Sequence, residues 1–393
     1  MPWRQEAVGQ VRRSWASEVA GGLGGAKRVP SGGSAARRLV VFVPEPRGGH
    51  SDDYAGQIEW EERCLHLADV VVFWVPRDLE TLPGFTTNVE WGMWHDSGRV
   101  VFGAPPGAPK NGYLLHYAVQ SQVPVAETLG GVIDAAMARI GPGAPRHGGE
   151  REVPLLIWHT DSFQRWYRAQ AGAGNRLLGA RLVWTFRAGP DRRLVVYWAL
   201  HVRVHIVAED RVKGNEVVIS RPDIAAVALY RRGATAAETV VVLVREFRAP
   251  ASTPDGFVRE LPGGAIDEPL KIAGGLGDVP PGESGAAVSA VRELAEETGL
   301  AIDPARLRCH ERRQLAATVS AHGAWLFSAE ITGEELTSLR AGGHLPHGAP
   351  DSGTGENAER TYAEVTTFGQ VLASRQVDWA TLGMLAQVLC APG

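Results

Sequence analysis

Sulfur is scarce in this chain. Three cysteines (Cys64, Cys309 and Cys390) and four methionines are spread over 393 residues. The cysteines lie far apart without a C-x-x-C, so neither a disulfide framework nor a zinc knuckle is supported. A reducing, cytoplasmic setting is the expectation. Excess charge of either sign is also missing: 40 Lys and Arg stand against 44 Asp and Glu, a formal net charge of −4. Without a basic domain or stripe, a nucleic-acid polymer is a poor partner. A small nucleotide needs only local charge and oriented amides. Long apolar runs are absent as well. The first 37 residues break at Val19-Ala20-Gly21-Gly22 before any run reaches the length of a signal peptide or membrane span, so no membrane partner is expected. No repeat relates one half to the other.

What is present reads as a globular protein. A hydrophobic fraction of 44% and a charged fraction of 21% are ordinary, and the length predicts two or three domains. Glycine (47) and proline (25) are raised but dispersed, which implies many turns. We divide the chain into a flexible segment 1–37, with room for a short helix near 5–19, a domain over 38–145, a linker 146–154 and a second domain over 155–393. In the first domain, apolar runs predict strands over 39–43, 69–75 and 99–102. Helical stretches are expected at 57–68, 88–96, 112–120 and 127–140. That alternation implies an α/β domain: a flavodoxin- or Rossmann-like parallel sheet with helices on both faces, its ligand beyond the strands' carboxyl ends. The second domain reads as α+β, a mixed sheet sandwiched by helices. Its one strong helix is expected over 284–298, anchored by Ala287, Val291 and Leu294, after a glycine-rich insertion at 272–282.

That helix carries the sharpest pattern. Glu293, Glu296 and Glu297 share an arc of about 100° at helical periodicity. Gly299 is placed to end the helix in a left-handed conformation. Three carboxylates near a helix C-terminus repel one another and oppose its dipole, and a hard cation such as Mg²⁺ or Mn²⁺ relieves both. The bland alternative is a solvated acidic face.

The run Arg292-Glu293-Leu294-Ala295-Glu296-Glu297-Thr298-Gly299-Leu300 resembles the second half of the Nudix hydrolase box. The first half departs: the family's upstream glutamate falls on Ser284, with Glu283 one residue early, and its leading glycine falls on Asp278. Val244 to Pro250 and Arg259-Glu260-Leu261-Pro262-Gly263-Gly264 are similar to the strands before the box in ADP-ribose and nucleotide-sugar pyrophosphatases. The resemblance implies a Mg²⁺-dependent pyrophosphohydrolase of a nucleoside diphosphate derivative. It also implies Glu293, Glu296 and Glu297 as metal ligands, and Arg292 orienting Glu293. Arg245, Arg248, Glu260, Gly263 and Gly264 would lie near substrate, and Glu359 or Glu356 on a late loop would act as base.

In the first domain, Glu90 opens a helix, where the dipole favours its ionised form. From spacing alone, a helix-start acid that merely satisfies the dipole is the better reading. The domain resembles nucleoside 2-deoxyribosyltransferase-like proteins in its strand ending at Pro44, the loop Gly48-Gly49…Asp53-Tyr54, Ala68-Asp69 before a strand, and the Glu-x-Gly turn. The resemblance implies an enzyme cleaving or exchanging an N-glycosidic bond. Glu90 is then the nucleophile, Glu61 or Asp69 the acid for the leaving base, and Gly49, Asp53, Tyr54 and Asn88 near substrate. The family's Asp before the nucleophile is missing from Pro83-Gly84-Phe85-Thr86-Thr87. Trp60, Trp74, Trp91 and Trp94 are expected mostly in the core. Both families imply a possible homodimer. The contrasting reading is a nucleotide sensor in which one or both domains bind without turnover.

Overall fold

The computed structural model describes residues 2–21, 39–44, 54–189, 192–266, 283–343, 345–347 and 360–390. The chain divides into two compact units, Met1–Ile219 and Ser220–Gly393. The boundary anticipated at 146–154 therefore falls inside the first unit. No helix among the described residues is long and apolar enough to cross a membrane.

The first unit opens with α1 (Pro2–Gly21), α2 (Tyr54–Leu67), β1 (Val71–Trp74), α3 (Phe85–Trp94), β2 (Val100–Gly103), α4 (Gly112–Gln120), β3 (Val125–Ala126) and α5 (Leu129–Ile140). The strands form a parallel sheet in the order β1-β2-β3. One face packs Val71, Phe73 and Phe102 against Trp91, Trp94 and Leu114, while Val101 packs with Val132 and Ala136 on the other. Trp91 and Trp94 are core residues as expected, and Trp60 is exposed.

One expectation needs correction. The strand over 39–43 does not form: residues 39–44 carry no regular structure, and Val40, Val41 and Phe42 are exposed. Apolar composition alone does not make a strand without an edge to pair with. In the segment 1–37 the helix expected near 5–19 forms as the 20-residue α1, which packs on α5; the remainder of the segment from residue 22 lies outside the described residues.

The unit continues through a short 3-10 turn at Gly148–Glu152, then α6 (Leu155–Trp158), α7 (Asp161–Gly172) and the antiparallel sheet β4 (Arg176–Ala188), β5 (Leu194–Ile206) and β6 (Arg211–Ser220). Trp198 is fully buried among Phe163, Ile157 and Leu200, its indole N–H donated to Ser162 at 2.9 Å. The stretch 146–154 is pinned rather than linker-like: Glu152 accepts the Ala180 N–H, and Arg146 donates to Asp69.

The second unit contains β7 (Ile224–Arg231), β8 (Val240–Phe247), β9 (Phe257–Glu260), β10 (Gly263–Ala265), α8 (Glu283–Thr298), β11 (Arg308–Gln314), β12 (Gly323–Glu330), α9 (Gly333–Gly342), β13 (Thr361–Thr367), α10 (Phe368–Ser374) and α11 (Trp379–Leu389). A mixed seven-stranded sheet runs β11-β12-β7-β8-β13, with β10 on β7 and β9 on β8. The pair β12–β7 is parallel. The central strand β7 is buried on both faces, which explains its continuous small apolar run. Ala225, Val227 and Leu229 meet α8 and α9, and Ala226 and Ala228 meet α10 and α11. The stripe of α8 that reaches the core is Ala286, Ala290 and Leu294, with Ala287 partly buried beside it. Gly299 ends α8 at φ 70°, the left-handed stop the sequence predicts.

Candidate active sites

In the second unit the geometry centres on α8 and β10. Pro262-Gly263-Gly264 brings β10 alongside β7, with the Pro262 carbonyl accepting the Val227 N–H at 2.8 Å. Glu297 is buried, and its Oε2 accepts the Gly263 N–H at 2.8 Å. A Cβ on Gly264 would stand 2.4 Å from the Glu293 carboxyl carbon, and one on Gly263 would stand 2.0 Å from the Ala225 carbonyl. Glycine at 264 is therefore what lets the Glu293 carboxylate lie against β10, and glycine at 263 is what lets β10 approach β7. Arg292 donates to Glu293 at 2.8 Å and to Glu296 at 3.5 Å. Gly263, Gly264, Arg292, Glu293, Glu296 and Glu297 thus form one constellation.

Hard oxygen donors on one helix face suit Mg²⁺ or Mn²⁺ in kind. Their partners include Arg292 and the Gly263 N–H, and among the described residues no three His, Cys, Asp or Glu side chains are gathered closely enough to hold a metal ion. A cation here shares these carboxylates with the guanidinium. Glu283, at the start of α8, lies about 15 Å along the helix from Glu293 at 1.5 Å per residue, and its electrostatic neighbour is Cys309. It does not join the constellation.

Arg245 is not brought to α8. Its guanidinium pairs with Glu364 at 2.8 Å and lies over the rings of Phe257 and Tyr362 at 4.7 and 4.6 Å. Strand alternation explains this: Val242 faces α8, whereas Leu243 packs with α11, and Arg245 shares Leu243's side. Arg248 pairs with Glu246 at 2.7 Å. Glu260 is exposed by area, yet desolvation raises its carboxyl above the usual glutamate range. Arg248 and Arg221 pull it down and Asp378 pushes it up, and no α8 glutamate acts on it. Glu359 and Glu356 lie outside the described residues.

The first unit holds a cavity of about 1500 Å³ that runs along β1, lined by Glu61, Glu90, Arg77 and residues of α1 among others. Glu90 is half-buried, and burial raises its carboxyl above the ordinary value; Glu61 pushes the same way and Arg4 opposes. Gln57 donates to Glu61 at 2.9 Å. Asn88, exposed on α3, accepts from the buried Arg77, which also reaches the Lys110 carbonyl at 3.5 Å. Tyr54 is exposed at the start of α2 and does not line the cavity. Gly49 and Asp53 lie outside the described residues.

Asp69 is a correction. Both its oxygens bind Arg146, and Oδ1 also accepts the Leu155 N–H at 2.8 Å. A carboxylate with both oxygens so committed anchors the chain between α5 and α6 rather than facing a ligand. Sequence reading also missed Arg4, Arg77 and the buried Asp223, which receives Arg312 at 3.0 Å and the Gly323 N–H at 2.9 Å. These partners are distant in the chain and carry no local motif.

Against this geometry, a family model described as "NUDIX domain" matches residues 220–335. Residues 220–335 form a NUDIX domain. A second model, described as "Nucleoside 2-deoxyribosyltransferase like", matches residues 7–108, which take in β1, β2, Glu61 and Glu90 but not β3. The two matches begin and end on either side of α5 to β6, so the antiparallel sheet belongs to neither. The NUDIX match starts at the boundary between the compact units. NUDIX domains generally use divalent metals, in keeping with the α8 carboxylates. A solved structure described as "Crystal structure of ADP compounds hydrolase" aligns at 16% identity and a TM-score of 0.34, over 55% of this chain and 91% of its own. No curated protein matches the chain.

Proposed function

We propose that the NUDIX domain hydrolyses the pyrophosphate bond of a nucleoside diphosphate derivative, ADP-ribose or a nucleotide sugar, and that the first unit cleaves or exchanges an N-glycosidic bond of a nucleoside or nucleotide. The observation that carries the first activity is the seating of Glu293 and Glu297 against Gly264 and Gly263. Glu293, Glu296 and Glu297 would hold Mg²⁺ or Mn²⁺, which when bound neutralises the diphosphate and lowers the pKa of a coordinated water. The Gly263 N–H fixes one oxygen of Glu297 and Arg292 holds Glu293 and Glu296, so loading a cation would draw the three carboxylates together and away from the guanidinium. Water adds across the P–O–P linkage, and two phosphate monoesters leave.

In the first unit the Glu90 carboxylate attacks the anomeric carbon and the bond to the base breaks. The base departs with a proton from Glu61, and water or an acceptor base then displaces the glycosyl ester. Covalent fusion suggests that the two sites share a substrate or product. Three free thiols accord with a cytoplasmic setting, and light scattering on the full chain decides whether it is a homodimer. A metabolite panel incubated with enzyme and Mg²⁺, with bases and phosphate esters read by mass spectrometry, tests both activities. No turnover by the wild type across the panel would leave the nucleotide sensor as the better reading.

A further inference from the structure

The first unit's cavity has α1 as one of its walls, and the family match takes in all of that helix but its first few residues. Trp3, Arg4 and Val8 of α1 line the same space as Glu61 of α2 and Glu90 of α3; Trp3 and Arg4 stand before the match, which begins at residue 7, and Val8 stands within it. The helix is held there: it packs on α5, and a Cβ on Gly130 would stand 2.9 Å from the Gln10 side-chain nitrogen. Arg4 is itself tethered, donating to the Pro44 carbonyl at 2.8 Å.

The charges explain why this position matters. Two glutamates share a partly desolvated cavity, an arrangement that favours protonation of one of them. Arg4 is the cation whose field acts on Glu90, and Glu61 is the anion. Arg77 from the β1–α3 loop is committed to Asn88 and the Lys110 carbonyl, and Asp69 is closed by Arg146. Arg63, His147, Arg151 and Glu152 also line the cavity without figuring among the groups that act on Glu90.

We propose that α1 is a working wall of this candidate glycosidic site and that Arg4 is its positioning residue, holding the Glu90 carboxylate in its charged form opposite Glu61. The proposal rests on the reading of Glu90 as nucleophile. It adds that the docking of α1 is what brings this positive charge to the nucleophile's cavity.

Two readouts test it on the full chain, comparing wild type, Arg4→Lys and Arg4→Gln. The first is the titration of Glu90 by NMR with ¹³C-labelled glutamate, assigned through Glu90→Gln. The second is the acid limb of kcat/KM for base release. Arg4→Gln should move both midpoints to higher pH. Base release on the acid side should fall roughly tenfold for every whole pH step the midpoint moves, and Arg4→Lys should restore both readouts. A Glu90 titration identical in wild type and Arg4→Gln overturns the proposal. If the wild type releases no base from any nucleotide, the catalytic reading falls while the titration still decides what Arg4 does. Should circular dichroism show Arg4→Gln to be misfolded, Arg4→Met, which keeps helix propensity, gives the same reading.

Discussion

The Glu297 carboxylate on α8 accepts the backbone N–H of Gly263 on β10 at 2.8 Å, across 34 residues of chain. This single bond ties the acidic helix to the glycine strand, and the candidate pyrophosphatase site is built around it.

Glu297→Gln should keep the fold, because an amide oxygen still accepts from Gly263, while removing a charged donor. Metal-dependent release of phosphate esters should fall by at least ~100-fold, the low end for a group acting at the reacting centre. Chelation of divalent metal should abolish wild-type release and metal re-addition should restore it. Unchanged turnover in the variant would remove Glu297 from the chemistry.

Alanine at the two glycines should separate site from scaffold. Gly264→Ala puts its methyl on the Glu293 carboxylate, a side chain able to swing away, so activity should drop with little loss of stability. Gly263→Ala meets the Ala225 carbonyl, which is backbone, and should destabilise the domain by about 1–3 kcal/mol. Urea unfolding read beside turnover distinguishes the two outcomes.

Asp69→Asn should be a stability mutant. It leaves Arg146 without its carboxylate in a partly buried setting, at a cost of about 1–3 kcal/mol. Base release measured below the unfolding transition should be unchanged. A selective loss of catalysis in a stable variant would restore Asp69 as an acid.

Acid should weaken the second unit through Glu335, whose carboxyl is held down to about 2, first by the hydrogen bond from Arg306. The folded value lies below the ordinary one near 4.5, so this stabilisation is fully present above pH 4.5 and is lost as pH falls towards 2. The pair is partly solvated, so its worth is about 1 kcal/mol. Glu335→Gln should flatten the pH dependence of the unfolding midpoint over that window.

Much of this was legible in the chain. The helix expected over 284–298 forms as Glu283–Thr298, and α4 matches its expected span, Gly112–Gln120. Periodicity and caps are local, so short-range sequence suffices for them. The run 39–43 misled because an apolar stretch looks the same whether or not a neighbouring strand awaits it. The role of Asp69 was hidden because its partners, Arg146 and Leu155, come 77 and 86 residues later. Arg245 was read from its strand alone, whereas the pleat turned it towards Tyr362 and Glu364.

The sequence by itself determined the acidic face of α8, its left-handed stop at Gly299 and the two domain families, because helical periodicity and motif spacing act over a few residues. Only the tertiary structure decided that Glu293 and Glu297 rest on Gly264 and Gly263, that Asp69 is an anchor and that α1 lines the cavity of Glu90. Those pairings join side chains separated by long stretches of chain, and which of them meet is settled by how the layers pack, not by spacing along the backbone.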